Sequence, residues 1–263
     1  MYAFAYERPS SLTNVVAKIA AGGQALAGGQ TLIATLKQRL AQPESLIDLA
    51  GVAELSGIRR DGSTLVIGAM TKHETVADSA EVKATIPALA ALAVQIGDRQ
   101  VRAMGTLGGS VANNDPAACY PSALMALGAT IETNQRKIAA DDFFQGMFTT
   151  ALELGELITA IHFPVPLKAA YAKFRQPASR YALVGVFVAQ TAQGVRVAIT
   201  GAGNGVFRHA GLEAALSKRF TPEAVEAVTI DAGELNADLH ASAAFRAQLI
   251  KVQTQKAVQQ ANG

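Results

Sequence analysis

The chain has 263 residues, half of them hydrophobic and 17% charged, with 23 Lys and Arg against 21 Asp and Glu. Such a composition supplies a sizeable core, excludes a mainly disordered, collagen-like or low-complexity chain, and at roughly 100–200 residues per domain suggests one large domain or two to three small ones. A net charge of +2 without a dense Lys/Arg block argues against nucleic-acid binding, and the lone Cys119 excludes a disulfide framework or a cysteine-ligated iron–sulfur cluster within the chain.

No apolar run reaches the roughly 18 residues of a membrane span. The start MYAFAYERPS is interrupted by Glu7 and Arg8 and does not resemble a signal peptide, so a cytoplasmic, reducing compartment is expected. In chain order, Phe4–Tyr6 reads as a short strand, and Leu12–Ala21 as a helix capped by Ser10 or Ser11. Gln24–Ala27 follows as a strand, Thr31–Leu40 as a helix and Ser45–Leu49 as a buried strand. Ile58 and Leu65–Ile67 flank Asp61-Gly62, a hairpin signal. Ile86–Val94 reads as a helix buried on most sides, Gly105–Asp115 as a Gly-rich loop, Pro121–Leu127 as a helix and Thr130–Thr133 as a strand.

Leu157–Phe163 reads as a strand stopped by Pro164-Val165-Pro166, the expected domain boundary. Beyond it, Tyr171–Phe174, Ala182–Ala189 and Val195–Gly201 read as strands, then His209–Leu216, Pro222–Val228 and Ala241–Val258 as helices. Strands first and helices last suggest a small α+β unit with an antiparallel sheet.

Two glycine segments stand out. Ala27, Gly28, Gly29, Gln30, Thr31 and Leu32 lie between a strand and a helix, where glycines let backbone N–H groups approach an anion. Gly105–Asp115 is the richer segment, with glycines and small polar donors suited to an anion nest. Neither matches the P-loop or Rossmann pattern at its defining residues. Together they suggest a dinucleotide held from two sides, and spacing goes no further. Without HxH or HExxH spacing, His73, His162, His209 and His240 read as structural or exposed. Asp141-Asp142 reads as a solvated turn or a cap before Phe143, and Cys119 as a packed small residue.

Six segments carry a family resemblance. AGGQTLI from Ala27 to Ile33 resembles the AGGxSL motif of the FAD-binding medium subunits of molybdenum hydroxylases, the carbon monoxide and xanthine dehydrogenase type. TLGGSVANNDPAAC from Thr106 to Cys119 is similar to the TIGGxIANADPAAD of that family. IGDRQVRAMG, GELITAIHFP, YAKFRQPASRYALVGV and DLHASAAFRAQL follow its pattern in order and cover nearly the whole chain.

The resemblance implies an α+β fold. A vanillyl-alcohol-oxidase-like FAD-binding domain spans 1–166, in lobes of about 1–55 and 56–166, and a small flavoprotein C-terminal domain with an antiparallel sheet spans 167–263. It places cofactor contacts at Ala27, Gly28, Gly29, Gln30, Thr31 and Leu32. Further contacts fall at Ile96, Thr106, Leu107, Gly108, Gly109, Ser110, Asn114, Asp115 and Cys119. Leu157, Ile158 and Lys173 complete the set; the chain itself is expected to hold no catalytic residue and no metal.

The resemblance also implies partners: a large molybdenum-cofactor subunit that oxidises the substrate, and a small subunit with two [2Fe–2S] clusters, commonly as a dimer of heterotrimers. Electrons would pass from those clusters to FAD on this chain and on to an external acceptor. Three positions depart from the pattern: Cys119 stands where Asp is frequent, Arg180 where Asp often follows RAS, and Ala103 in place of a frequent Asn. A stand-alone FAD oxidoreductase and a flavin-binding module without redox role are the alternatives; the first needs a larger substrate domain than the segment after Pro166 offers.

Overall fold

The computed structural model describes residues 1–263. Its first elements are β1 (Ala5–Glu7), α1 (Leu12–Ala20), β2 (Gln24–Leu26), α2 (Leu32–Lys37) and β3 (Ser45–Asp48). The strands form a parallel sheet in the order β1-β3-β2. The Ser11 hydroxyl caps α1 by accepting the Asn14 amide, and Val15 and Ile19 on the buried face meet Ile47, Leu49 and Leu157 in a small core. Helix α2 is shorter than the sequence suggests; Thr31 makes no capping bond and Arg39, at φ 60°, turns the chain out of the helix.

A hairpin follows, β4 (Ile58–Asp61) and β5 (Thr64–Gly68), with Gly62 at φ 58° in its turn. The chain continues through α3 (His73–Asp78), α4 (Ala80–Thr85), α5 (Pro87–Val94), α6 (Arg99–Met104), α7 (Leu107–Asn113) and α8 (Tyr120–Leu127). Then come β6 (Thr130–Thr133), β7 (Lys137–Ala139), α9 (Ala140–Phe143), β8 (Phe144–Gly146), β9 (Thr149–Thr150) and β10 (Ile158–Pro164). An antiparallel five-stranded sheet runs β4-β5-β10-β6-β7. Leu65, Ile67, Ile161 and Phe163 on this sheet pack against Leu89, Leu92, Tyr120 and Leu124 of α5 and α8. Helix α5 is apolar all round because it is enclosed on most sides.

Helix α7 departs from the sequence reading, which made Gly105–Asp115 a loop. Glycine is a poor helix former, but here tertiary fit decides. Thr106 caps the helix by accepting the Gly109 amide at 3.2 Å. Gly108 lies so close to β5 that a Cβ would sit 2.5 Å from that of Ala69. The helix stops at Asn114, which takes the left-handed conformation at φ 43°.

The last elements are β11 (Lys168–Arg175), β12 (Ala182–Thr191), β13 (Gly194–Thr200), β14 (Phe207–Arg208), α10 (Ala210–Lys218) and α11 (Ala243–Asn262). The four strands form one antiparallel sheet in sequence order. On β12, Val184, Val186 and Val188 face α10 and α11, while Phe187 and Ala189 join the core around α5 and α8. A strand covered on both faces loses the apolar–polar alternation, which explains its continuous apolar sequence. The expected helix Pro222–Val228 is only a 3-10 turn, Pro222–Val225. His209 is the cap of α10, its Nδ1 accepting the Leu212 amide at 3.1 Å. Asp141 and Asp142 are exposed in the first turn of α9, ahead of Phe143, and Asp141 also holds Arg196 at 2.5 Å and Arg208 at 3.2 Å, tying α9 to β13 and β14.

Candidate functional site

A cavity of about 870 Å³ opens where β2, α7, β10 and β11 converge. Its first wall is Ala27, Gly28, Gly29, Gln30, Thr31 and Leu32. None of the six amides from Ala27 to Leu32 donates a hydrogen bond within the chain; the first that does is Ile33, to the Gly29 carbonyl. A run of free N–H groups on consecutive residues is a concave donor surface for an anion. Gly28 sets its position: a Cβ there would lie 2.2 Å from the Met104 carbonyl oxygen, so the segment rests directly on the backbone ahead of α7. Gly29 takes φ 71°, open to glycine at little cost.

The second wall is α7, and here the expected nest is corrected. The Leu107, Gly108 and Ser110 amides donate to Thr71, Ala69 and Thr106 carbonyls, and the Gly109 amide to the Thr106 hydroxyl. The helix therefore offers clearance and side-chain groups rather than a row of backbone donors. Thr106, Gly108, Gly109, Ser110 and Asn113 border the cavity, and the Ser110 hydroxyl and Asn113 carboxamide have no partner in the chain. Two expected contacts lie elsewhere. Leu107 is wholly buried in the main core. Asn114 is 1% exposed, and its carboxamide donates to the Gly146 and Thr149 carbonyls at 2.7 and 2.8 Å, anchoring the β8–β9 hairpin. The helical turn rotates both away from the cavity.

The remaining wall gathers residues distant in sequence. Ile96, Asp115, Cys119, Leu157, Ile158 and Lys173 all border the cavity. The Asp115 carboxylate accepts the Ala117 amide at 2.8 Å and so shapes the turn into α8. Lys173 on β11 donates to the Gln95 carbonyl at 2.9 Å and reaches the Cys119 sulfur at 3.3 Å. Arg180, at φ 63°, and Tyr181 overhang the same end from the β11–β12 connection. At the other end, Glu156 is buried against Arg136 at 2.9 Å; the guanidinium, assisted by the Glu153 amide and Thr133 hydroxyl, holds its carboxyl at about 2 despite burial.

Sequence reasoning missed His73 and Asn113. Asn113 sits inside the second motif, but only the helical turn of α7 shows which face it shares with Ser110. His73 had no local signal; it reaches the cavity because its amide donates to the Gly105 carbonyl at 3.0 Å, seating α3 beside α7. Its ring lies 5.3 Å from that of Tyr120, with Nδ1 buried and unpartnered.

Burial, with Arg102 nearby, lowers the His73 pKa to about 4. Between about 6.5 and about 4 the unfolded chain therefore binds the proton and the folded chain does not, so stability falls as pH drops through that window. We expect His73→Gln to lose less stability than the parent between pH 7 and pH 5 in urea unfolding; equal losses would place the acid sensitivity on another group.

The family model described as the FAD binding domain in molybdopterin dehydrogenase matches residues 2–166. The carbon monoxide dehydrogenase medium chain of Hydrogenophaga pseudoflava is 35% identical, over 94% of each chain. The glyceraldehyde dehydrogenase medium chain of Sulfolobus acidocaldarius is 34% identical, over 97% of this chain and 96% of its own. Among solved structures, reconstituted CO dehydrogenase from Oligotropha carboxidovorans superposes with a TM-score of 0.91 at 33% identity, covering 99% of this chain and 98% of that one. Quinoline 2-oxidoreductase from Pseudomonas putida 86 superposes with a TM-score of 0.89 at 28% identity, covering 99% and 97%.

Proposed function

Because the chain belongs to the family of FAD-binding domains of molybdopterin dehydrogenases, we propose that it is the FAD-carrying electron-transfer subunit of a heterotrimeric molybdenum-dependent dehydrogenase. In this reading a small subunit with two [2Fe–2S] clusters delivers electrons to the chain, which passes them to an external acceptor. The substrate is oxidised on a large subunit carrying the molybdenum cofactor. Relatives named as medium chains support a larger and a smaller companion, and the assembly is a cytoplasmic dimer of heterotrimers. No helix of the chain is long and apolar enough to cross a membrane. Residues 1–166 form a two-lobed, vanillyl-alcohol-oxidase-like FAD-binding domain, and 167–263 a C-terminal flavoprotein domain.

The observation that carries this reading is the run of unpartnered amides from Ala27 to Leu32, facing a glycine-lined helix across one cavity. Those residues fit a dinucleotide: the amides receive the pyrophosphate charge, and Gly109, whose missing Cβ would point towards Ala27, leaves room between the two walls. Thr31, Ser110 and Asp115 offer polar groups along its length, while Leu157 and Ile158 give an apolar surface that excludes water. Ile96, Cys119 and Lys173 bound the far end. Bound FAD supplies a carrier that exchanges electrons singly or in pairs, which suits a relay between clusters and a soluble acceptor.

The test is a visible absorption spectrum of the purified chain, with released cofactor identified by chromatography and FAD added back where loading is low. One FAD per chain without iron–sulfur bands is the expected result. Absence of flavin after reconstitution overturns the assignment.

A further inference from the structure

Cys119 and Lys173 come from opposite parts of the chain, at the start of α8 and on β11, and meet at the cavity edge. The Lys173 amine makes no ion pair. The Gln95 carbonyl holds it at 2.9 Å and steers it to 3.3 Å from the Cys119 sulfur. Reacting atoms held about 3–3.5 Å apart are in near-attack position.

A third group faces the same sulfur. Tyr171 lies two residues before Lys173, on the same face of β11, and is 3% exposed. Its hydroxyl has no oxygen or nitrogen partner, and the Cys119 sulfur, a weak acceptor, lies beside it. Gly185 on the neighbouring strand makes the space for it: a Cβ there would lie 2.5 Å from the Tyr171 oxygen. Burial and the adjacent Cys119 push the phenol well up, so it remains an O–H donor.

We propose that Cys119 and Lys173 are a redox-modification site, in which a hydroperoxide converts the pair into a sulfenamide, an S–N cross-link between α8 and β11. In the first step the Cys119 sulfur attacks one peroxide oxygen; the S–O bond forms and the O–O bond breaks. Sulfur loses two electrons, and the departing oxygen leaves as water with the thiol proton, aided by the Tyr171 hydroxyl. In the second step the Lys173 amine, having given one proton to solvent, attacks sulfur. The S–N bond forms, the S–O bond breaks, and a second water leaves. The balance is thiol plus ammonium plus hydrogen peroxide giving sulfenamide, two waters and one proton. Sulfenic acids undergo this condensation with nitrogen nucleophiles, and thiols reverse it. The cross-link removes a cation from the cavity and fixes β11 against α8.

The chemistry is independent of the flavin assignment and is tested without it. The full-length chain, stripped of any flavin, is treated with hydrogen peroxide and digested. The peptides bearing Cys119 and Lys173 are expected to appear as one species, lighter than their sum by two hydrogens, and dithiothreitol should separate them. Cys119→Ser and Lys173→Arg should each abolish that species, and Tyr171→Phe should slow its formation several-fold. A Cys119 that remains open to alkylation, or that proceeds to a sulfinic acid with Lys173 unlinked, overturns the proposal.

Discussion

Gly28→Val is expected to abolish FAD retention while leaving the fold intact. The added Cβ would sit 2.2 Å from the Met104 carbonyl oxygen and 2.7 Å from Gly105 Cα, both backbone atoms that cannot swing aside. The segment from Ala27 to Leu32 must then lift away from α7. Charge-assisted hydrogen bonds contribute about 1.5–3 kcal/mol each, so misaligning two of the free amides weakens binding by roughly 100-fold or more. Gly28 belongs to none of the hydrophobic clusters, so far-UV circular dichroism should change little. Flavin fluorescence titration reads the affinity. Gly29→Ala should have a smaller effect, since beyond the strain of φ 71° its Cβ meets only side chains, Ile33 at 2.8 Å and Leu26 at 3.4 Å. Full loading of Gly28→Val would mean that the close approach to Met104 does not position the donors.

Arg246→Ala should cost about 2–6 kcal/mol of stability, because it leaves two buried carbonyls unpaired at roughly 1–3 kcal/mol each, while the half-exposed Asp238 is taken up by water. The side chain is 3% exposed at the start of α11. It donates to the Leu183 and Gly201 carbonyls, both at 2.8 Å, and to Asp238 at 2.7 Å. Those carbonyls lie on β12 and just after β13, so one guanidinium fastens the helix to two strand ends. Arg246→Met retains much of the apolar stem and should recover only part of the loss, because both buried carbonyls stay unpaired. Urea unfolding measures both variants. A methionine variant as stable as the parent would assign the effect to packing alone.

What the sequence made legible follows its physics. Strands β12 and β13 and helix α5 are long, apolar and enclosed, so composition announced them. The strands β7, β8, β9 and β14 have two or three residues each, too few to show a period. Helix α7 was invisible because its glycines oppose helix formation, and only the fit of Gly108 against Ala69 shows why it forms. That hidden helix also explains the two misplaced site residues. On a helix Thr106, Gly109, Ser110 and Asn113 share one face, while Leu107 and Val111 share another. A loop reading cannot separate the two faces. The first glycine segment was easier, because its glycines mark backbone geometry directly. His73 depended on a long-range backbone pairing with Gly105, which no neighbouring residue encodes.

The division of labour between the two walls bears on how this protein can drift. The donors from Ala27 to Leu32 are all main-chain, so Gln30, Thr31 and Leu32 can exchange side chains without touching charge recognition. Selection instead falls on residues that hold the loop's path, Met104, Gly105 and Ile33, whose own side chains need never meet the ligand. Two descendants could therefore differ across the segment and still recognise the same anion, while a single change behind it would end recognition in either.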